Sequence, residues 1–127
     1  MEAALETEVG RILDALRRIR VPAVPGEYDI HALIAAALED ANIPFAHEVP
    51  LAPGQRADFL AGSVVIEVKK GRPQRARLAE QAAKYLSSPR VEALVVVSQR
   101  RAEIPGFIGG KPVYSLALER LWGVSLP

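Results

Sequence analysis

The chain has no cysteine, which excludes disulfides, thiolate metal centres and cysteine nucleophiles. No apolar run approaches the roughly 20 residues that a membrane-spanning helix needs, so no membrane partner is expected. Neither sign of charge is in excess: 16 Lys and Arg stand against 15 Asp and Glu, a net charge of +1. The field of the whole chain therefore neither attracts nor repels a polyanion, and any basic surface has to be local. No ATPase or helicase motif is present, so no nucleotide cofactor is expected. The opening stretch MEAALETEVG is acidic and lacks the basic start and apolar core of a secretory signal, which makes a cytoplasmic location the expectation.

What is present suits one globular domain over 1–127. Half of the 127 residues are hydrophobic and 24% are charged, an ordinary balance for a chain with one sizeable core. Residues 2–20 read as a helix, because Leu5, Val9, Ile12, Leu16 and Ile19 recur at steps of four and three. VPAVPG (21–26) ends it, since proline and glycine cannot continue the pattern. A second helix is expected from Glu27 to Ala41, with Ile30, Leu33, Ile34, Ala37, Leu38 and Ala41 on its buried face. Strands are expected at 45–51, 56–61 and 64–70, a helix at 74–88, and a doubly buried apolar strand at 91–99. RRAEIPGFIGGK reads as a loop, PVYSLAL (112–118) as a last strand and ERLWG as a closing helical turn.

The informative stretch is RADFLAGSVVIEVKKG (56–71). Gly62-Ser63 is a Gly-X pair between apolar strands and suits a two-residue type II′ turn. That turn sets Ala61 opposite Val64, Leu60 opposite Val65, Phe59 opposite Ile66 and Asp58 opposite Glu67. One face then carries Ala57, Phe59 and Ala61 against Val64, Ile66 and Val68. The other carries Leu60 with Val65, Asp58 with Glu67, and Arg56 with Lys69. Directly opposed residues have Cβ atoms about 4.5–5.5 Å apart, and like charges at that spacing destabilise a sheet. A solvated set of cross-strand ion pairs is the alternative for such a face, but it would alternate signs, whereas here acid faces acid. A divalent cation resolves the conflict, and oxygen donors suit Mg²⁺ or Mn²⁺. Lys69 points to the same face, where an ammonium can steady developing negative charge. Lys70, Arg72, Arg75 and Arg77 crowd the exit from this strand and form the natural phosphate-contact surface, which Arg100 and Arg101 extend.

Asp58, followed after eight residues by Glu67-Val68-Lys69, resembles the D…(D/E)xK motif of the PD-(D/E)XK nucleases, the restriction-endonuclease-like superfamily. The order helix, three strands, helix, strand over 27–99 is similar to that superfamily's core, and Gln81-Ala-Ala-Lys-Tyr85 looks like the QxxxY motif of RecB-type members. Ala57 stands where the family name has proline. The resemblance implies an α/β fold with a restriction-endonuclease-like core, a mixed central sheet flanked by helices, preceded by an extra N-terminal helix (1–20) and followed by a C-terminal loop, strand and short helix (100–127). It implies a Mg²⁺-dependent deoxyribonuclease, an endonuclease in which Mn²⁺ can substitute. Asp58 and Glu67 would ligate the metal, the Val68 carbonyl would add an oxygen, and Lys69 would assist the attacking water. Gln81 and Tyr85 would contact the substrate or orient Lys69. Glu27, ahead of Glu39 and Glu48, would be the further metal-ligating acid that members carry on the helix before the first core strand, and His31, one turn on, leans toward the same site. His47, beside Glu48, points to the opposite face from it. The alternative is a non-catalytic nucleic-acid-binding or assembly module on the same fold. The apolar stripe of the first helix needs a cover, either its own core or a second copy, and the resemblance implies a homodimer with DNA as the partner.

Overall fold

The computed structural model describes residues 2–21 and 29–119. All but Val21 of the expected break after the first helix, the Glu27 start of the second and all but Glu119 of the closing turn fall outside the described residues.

Three helices flank one mixed sheet. In chain order the elements are α1 (Glu2–Arg17), α2 (Ile30–Asp40), β1 (Ala46–Ala52), β2 (Gln55–Ala61), β3 (Val64–Lys69), α3 (Arg75–Leu86), β4 (Ala93–Ser98), β5 (Phe107–Ile108) and β6 (Lys111–Ala117). Across the sheet the strands lie in the order β1-β2-β3-β4-β6-β5. β1, β2 and β3 form an antiparallel meander. β4 runs parallel to both β3 and β6, and α3 is the crossover that a parallel β3–β4 pair requires. β5 and β6 form a short hairpin through Gly109 and Gly110, both at positive φ, inside what reads from sequence as a loop.

Periodicity explains which side each element buries. β4 is buried along its whole length and alternates between two cores. Ala93, Val95 and Val97 join the α1–α2 side, while Leu94 and Val96 join the α3 side. The stripe of α1 (Val9, Ile12, Leu13, Leu16) and Ile19 beyond it pack into the first core with Ile34, Leu38, Phe59 and Ile66. The surface on which a second copy was expected to dock is therefore used internally. α2 begins at an Asp29 cap, whose side chain accepts from the Ala32 N–H at 3.3 Å, and ends where Asn42 turns to φ 58°.

The β2–β3 turn is the one the sequence predicts. Ala61↔Val64, Leu60↔Val65 and Phe59↔Ile66 are paired, and Gly62 sits at φ 61°. α1 reaches this turn, where Ser63 Oγ donates to Glu8 Oε1 at 3.0 Å. A Cβ at residue 62 would push the flexible Glu8 carboxylate aside, and the positive φ is what favours glycine there.

Strand alternation does not run through β2 unbroken. Phe59 and Ala61 face the α1–α2 core as expected, but Ala57 packs in the α3 core with Leu60 and Val65. The slip falls at Asp58, and the corresponding place in β1, between the pairs His47↔Phe59 and Val49↔Ala57, is Glu48 at φ 56°. A positive φ at a non-glycine residue turns the strand locally, and this turn sits beside the two acids of interest.

Truncating the α1 stripe tests whether it belongs to this core. Leu16, fully buried, changed to Ala should cost about 2–5 kcal/mol of unfolding free energy in a urea titration. A loss within a few tenths of a kcal/mol would mean that α1 does not pack as described.

Candidate functional site

The hairpin ladder stops at Phe59↔Ile66, and the strands part where the acids begin. The Val68 N–H donates to Asp58 Oδ2 at 2.8 Å, so a side chain takes the place of a ladder partner. In return the Asp58 N–H approaches Glu67 Oε1 at 3.5 Å. The two carboxylates do not confront each other as a flat cross-strand pair. Each swings onto a backbone N–H of the opposite strand, which lessens the repulsion that face-to-face acids would suffer. In a strand the N–H and C=O of one residue point to the same neighbour, so the Val68 carbonyl faces the same gap.

Glu67 is 4% exposed, and with Ser98 it is one of two buried polar residues among those described. α3 supplies most of its partners. Gln81 Nε2 donates to Glu67 Oε2 at 3.2 Å and to the Tyr85 hydroxyl at 3.2 Å. The Tyr85 hydroxyl donates to the Arg56 carbonyl at 2.9 Å, tying α3 to β2. Lys69 Nζ lies 3.5 Å from the same Glu67 Oε2. Gln81 and Tyr85 are i, i+4 on α3, which puts them on one face over β3. Gln81 thus orients Glu67, while Tyr85, 2% exposed, anchors Gln81 from below.

Burial first, and the neighbouring Asp58 charge second, push the Glu67 carboxyl up from 4.5 to about 7, against the opposing pull of Lys69 and Tyr85. Burial and the Glu67 carboxylate hold the Tyr85 hydroxyl well above its usual range, so it remains a neutral donor. An added positive charge beside Glu67 would favour its carboxylate form.

A cleft of about 920 Å³ opens beside this cluster, between α3 and the β1–β2 turn. Its charged lining is Arg56, Lys69, Arg77 and Lys84 against Glu80. α3 also starts at Gln74 with no side-chain cap and no acid in its first turn, while Arg75 and Arg77 place cations at the positive end of its dipole. That arrangement is costly alone and is relieved by an anion. Of the four basic residues expected to contact phosphate, Arg77 lines the cleft. Lys70, Arg72 and Arg75 are exposed, and Arg75 borders a separate hollow with Ile104 and Pro105. Arg56, Gln55 and Lys84 line the cleft and were missed as binding residues. Lys84 follows Arg77 by seven residues, two helical turns, and that spacing is the signal that finds it.

His31 is brought to His47, its Nδ1 lying 3.0 Å from His47 Nε2, and not to the Glu67 cluster. Glu27 lies outside the described residues. Among the described residues no group of three or more His, Asp or Glu side chains is placed to hold a metal ion. Asp58, Glu67 and the Val68 carbonyl nevertheless offer hard oxygen donors where the strands part. Mg²⁺ is commonly held by one or two carboxylates with water in its remaining positions, and the residues fit that pattern. No protein-family model, no curated protein and no solved structure matches the chain.

The raised Glu67 carboxyl predicts a slope of stability with pH. Between 4.5 and about 7 the folded protein holds a proton that the unfolded chain has released, so metal-free stability falls as pH rises through that window. Glu67→Gln, which is neutral throughout, should remove roughly 2–3 kcal/mol of that fall, seen as the difference between wild-type and variant urea titrations at a series of pH values. Parallel stability curves for the two proteins would show that Glu67 is not a buried titrating acid.

Proposed function

We propose that the chain is a Mg²⁺-dependent deoxyribonuclease of the PD-(D/E)XK, restriction-endonuclease-like type, hydrolysing phosphodiester bonds in DNA. The observation that carries the reading is the convergence of Asp58, Glu67 and Lys69 beside a cation-lined cleft that Lys69 itself lines. Supporting it, Gln81 and Tyr85 act together on Glu67, and the order α2, three antiparallel strands, α3 crossover and parallel β4 is similar to the one that the resemblance implies.

Asp58 and Glu67 would hold the metal, with the Val68 carbonyl as a further donor. Bound there, Mg²⁺ or Mn²⁺ supplies Lewis acidity and neutralises charge on the phosphate under attack. Gln81 fixes the Glu67 carboxylate through one oxygen and leaves the other directed toward Asp58. Lys69, whose Nζ lies 3.5 Å from Glu67, would be placed to steady the negative charge that builds on the phosphate oxygens. Arg56, Arg77 and Lys84 hold the flanking phosphates in the cleft, which fixes the strand in register without reading its sequence.

The discriminating assay incubates purified protein with linear duplex, single-stranded and four-way-junction DNA in Mg²⁺, Mn²⁺ or EDTA. Cleavage should require the metal and fall by at least about 100-fold in Lys69→Ala, in line with removal of a group that stabilises transition-state charge. Salt-sensitive binding of DNA with no cleavage under any metal would replace the enzyme with a binding module on the same fold, and absence of both would end the nucleic-acid reading.

A further inference from the structure

The chain has two histidines, and they meet. His31 is the second residue of α2 and His47 the second of β1. β1 pairs with β2 at His47↔Phe59, which sets the His47 ring over Phe59 with centroids 4.5 Å apart and planes 24° from parallel. His31 comes down from α2 onto the same ring, 5.5 Å from Phe59 and 5.2 Å from His47. Phe59 is fully buried, so the two imidazoles rest on a platform that does not move. His47 is exposed and His31 half-buried, which leaves the pair within reach of solutes.

The 3.0 Å between His31 Nδ1 and His47 Nε2 admits two chemistries. Two neutral rings can share one N–H. Two imidazole nitrogens on one metal ion, each at about 2.0–2.1 Å, stand about 2.9–3.4 Å apart for bond angles between a right angle and tetrahedral. The observed spacing falls within that bite, and small ring rotations aim both lone pairs at one point. The donors are nitrogen, so they favour a borderline d-block ion over the hard cation suited to Asp58 and Glu67. The two sites are also distinct, since among the described residues no third His, Asp or Glu joins the histidines.

We propose that His31 and His47 form a chelating site for a d-block divalent cation such as Zn²⁺ or Ni²⁺, with water completing the coordination. The ion clamps the start of α2 to β1, an edge strand of the sheet. The site does not depend on the nuclease reading and stands if that reading fails.

The test titrates the full chain with Zn²⁺ in a Mg²⁺ buffer that occupies the oxygen site. It follows the imidazole ¹⁵N resonances and the melting temperature. One equivalent should shift both histidine ring signals, and Zn²⁺ tenfold above its dissociation constant should raise the melting temperature by about 5 °C. His47→Gln, at an exposed position, and His31→Gln should each abolish the response while retaining the wild-type circular dichroism. Asp58→Asn should retain the response. A wild type that ignores Zn²⁺, a response that survives either histidine change, or one lost in Asp58→Asn would each overturn the proposal. Equilibrium dialysis against Zn²⁺ gives the stoichiometry independently, and a value of zero for wild type would do the same.

Discussion

A carboxylate buried where two strands separate is the feature on which the rest of the site depends. Glu67 occupies a position in β3 whose neighbours Val64, Val65 and Ile66 are fully buried and apolar. Valine there would satisfy the fold, and removing an ionisable group from water costs several kcal/mol before its partners repay any of it. The compensation is only partial. Gln81 donates one neutral hydrogen bond, Lys69 stands off at 3.5 Å, and Asp58 adds repulsion. The net effect is a carboxyl that prefers its proton up to about pH 7. Such a residue is poorly explained by stability, and well explained by a cation that takes the proton's place.

The topology makes this position possible. β2 and β3 leave a tight turn side by side and diverge at Asp58, at the end of the sheet from which the chain crosses over through α3 to the parallel strand β4. The crossover lays α3 along the α3-side face of β3, so residues at i and i+4 on that helix fall over Glu67. It also walls the cleft whose other side is the β1–β2 turn. The meander, the crossover and the cleft are one construction, and the same strand end that exposes a gap in the ladder is the one that substrate-sized molecules can reach.

Much of this was legible from residue order. The apolar stripes of α1 and α2 and the continuous run in β4 give element type and buried side directly, because burial against a sheet enforces their periods. The Gly62-Ser63 turn gives the hairpin register, and the Glu67-to-Lys69 spacing puts both on one side. Other features needed the fold. The reversal of alternation at Glu48 and Asp58 depends on a positive φ at a glutamate, which local preference does not announce. The β5–β6 hairpin was written in Gly109-Gly110, but a glycine-rich stretch reads equally as an irregular loop. The meeting of His31 with His47 and the place of Arg56 in the cleft are contacts between elements, set by how α2 and α3 lie on the sheet. Periodicity says which face is buried, not what lies opposite.

The distribution of charge ties the site to its cleft. With a net charge of +1 the chain offers no general attraction for a polyanion, yet Arg56, Lys69, Arg77 and Lys84 are gathered on one rim. Asp58 and Glu67 lie beside that rim through Lys69 and Gln81, and with both ionised they would repel a phosphate bound there. On the proposed reading, a divalent ion held by the two acids would reverse the sign of that inner surface. Attraction would then run from the rim toward the carboxylates, with Lys69 at the junction. Cations outside and acids inside are opposed as a static surface and cooperative once the gap is filled. On this argument metal and polyanion should bind with positive coupling, each strengthening the other, because each removes the repulsion that the other would meet.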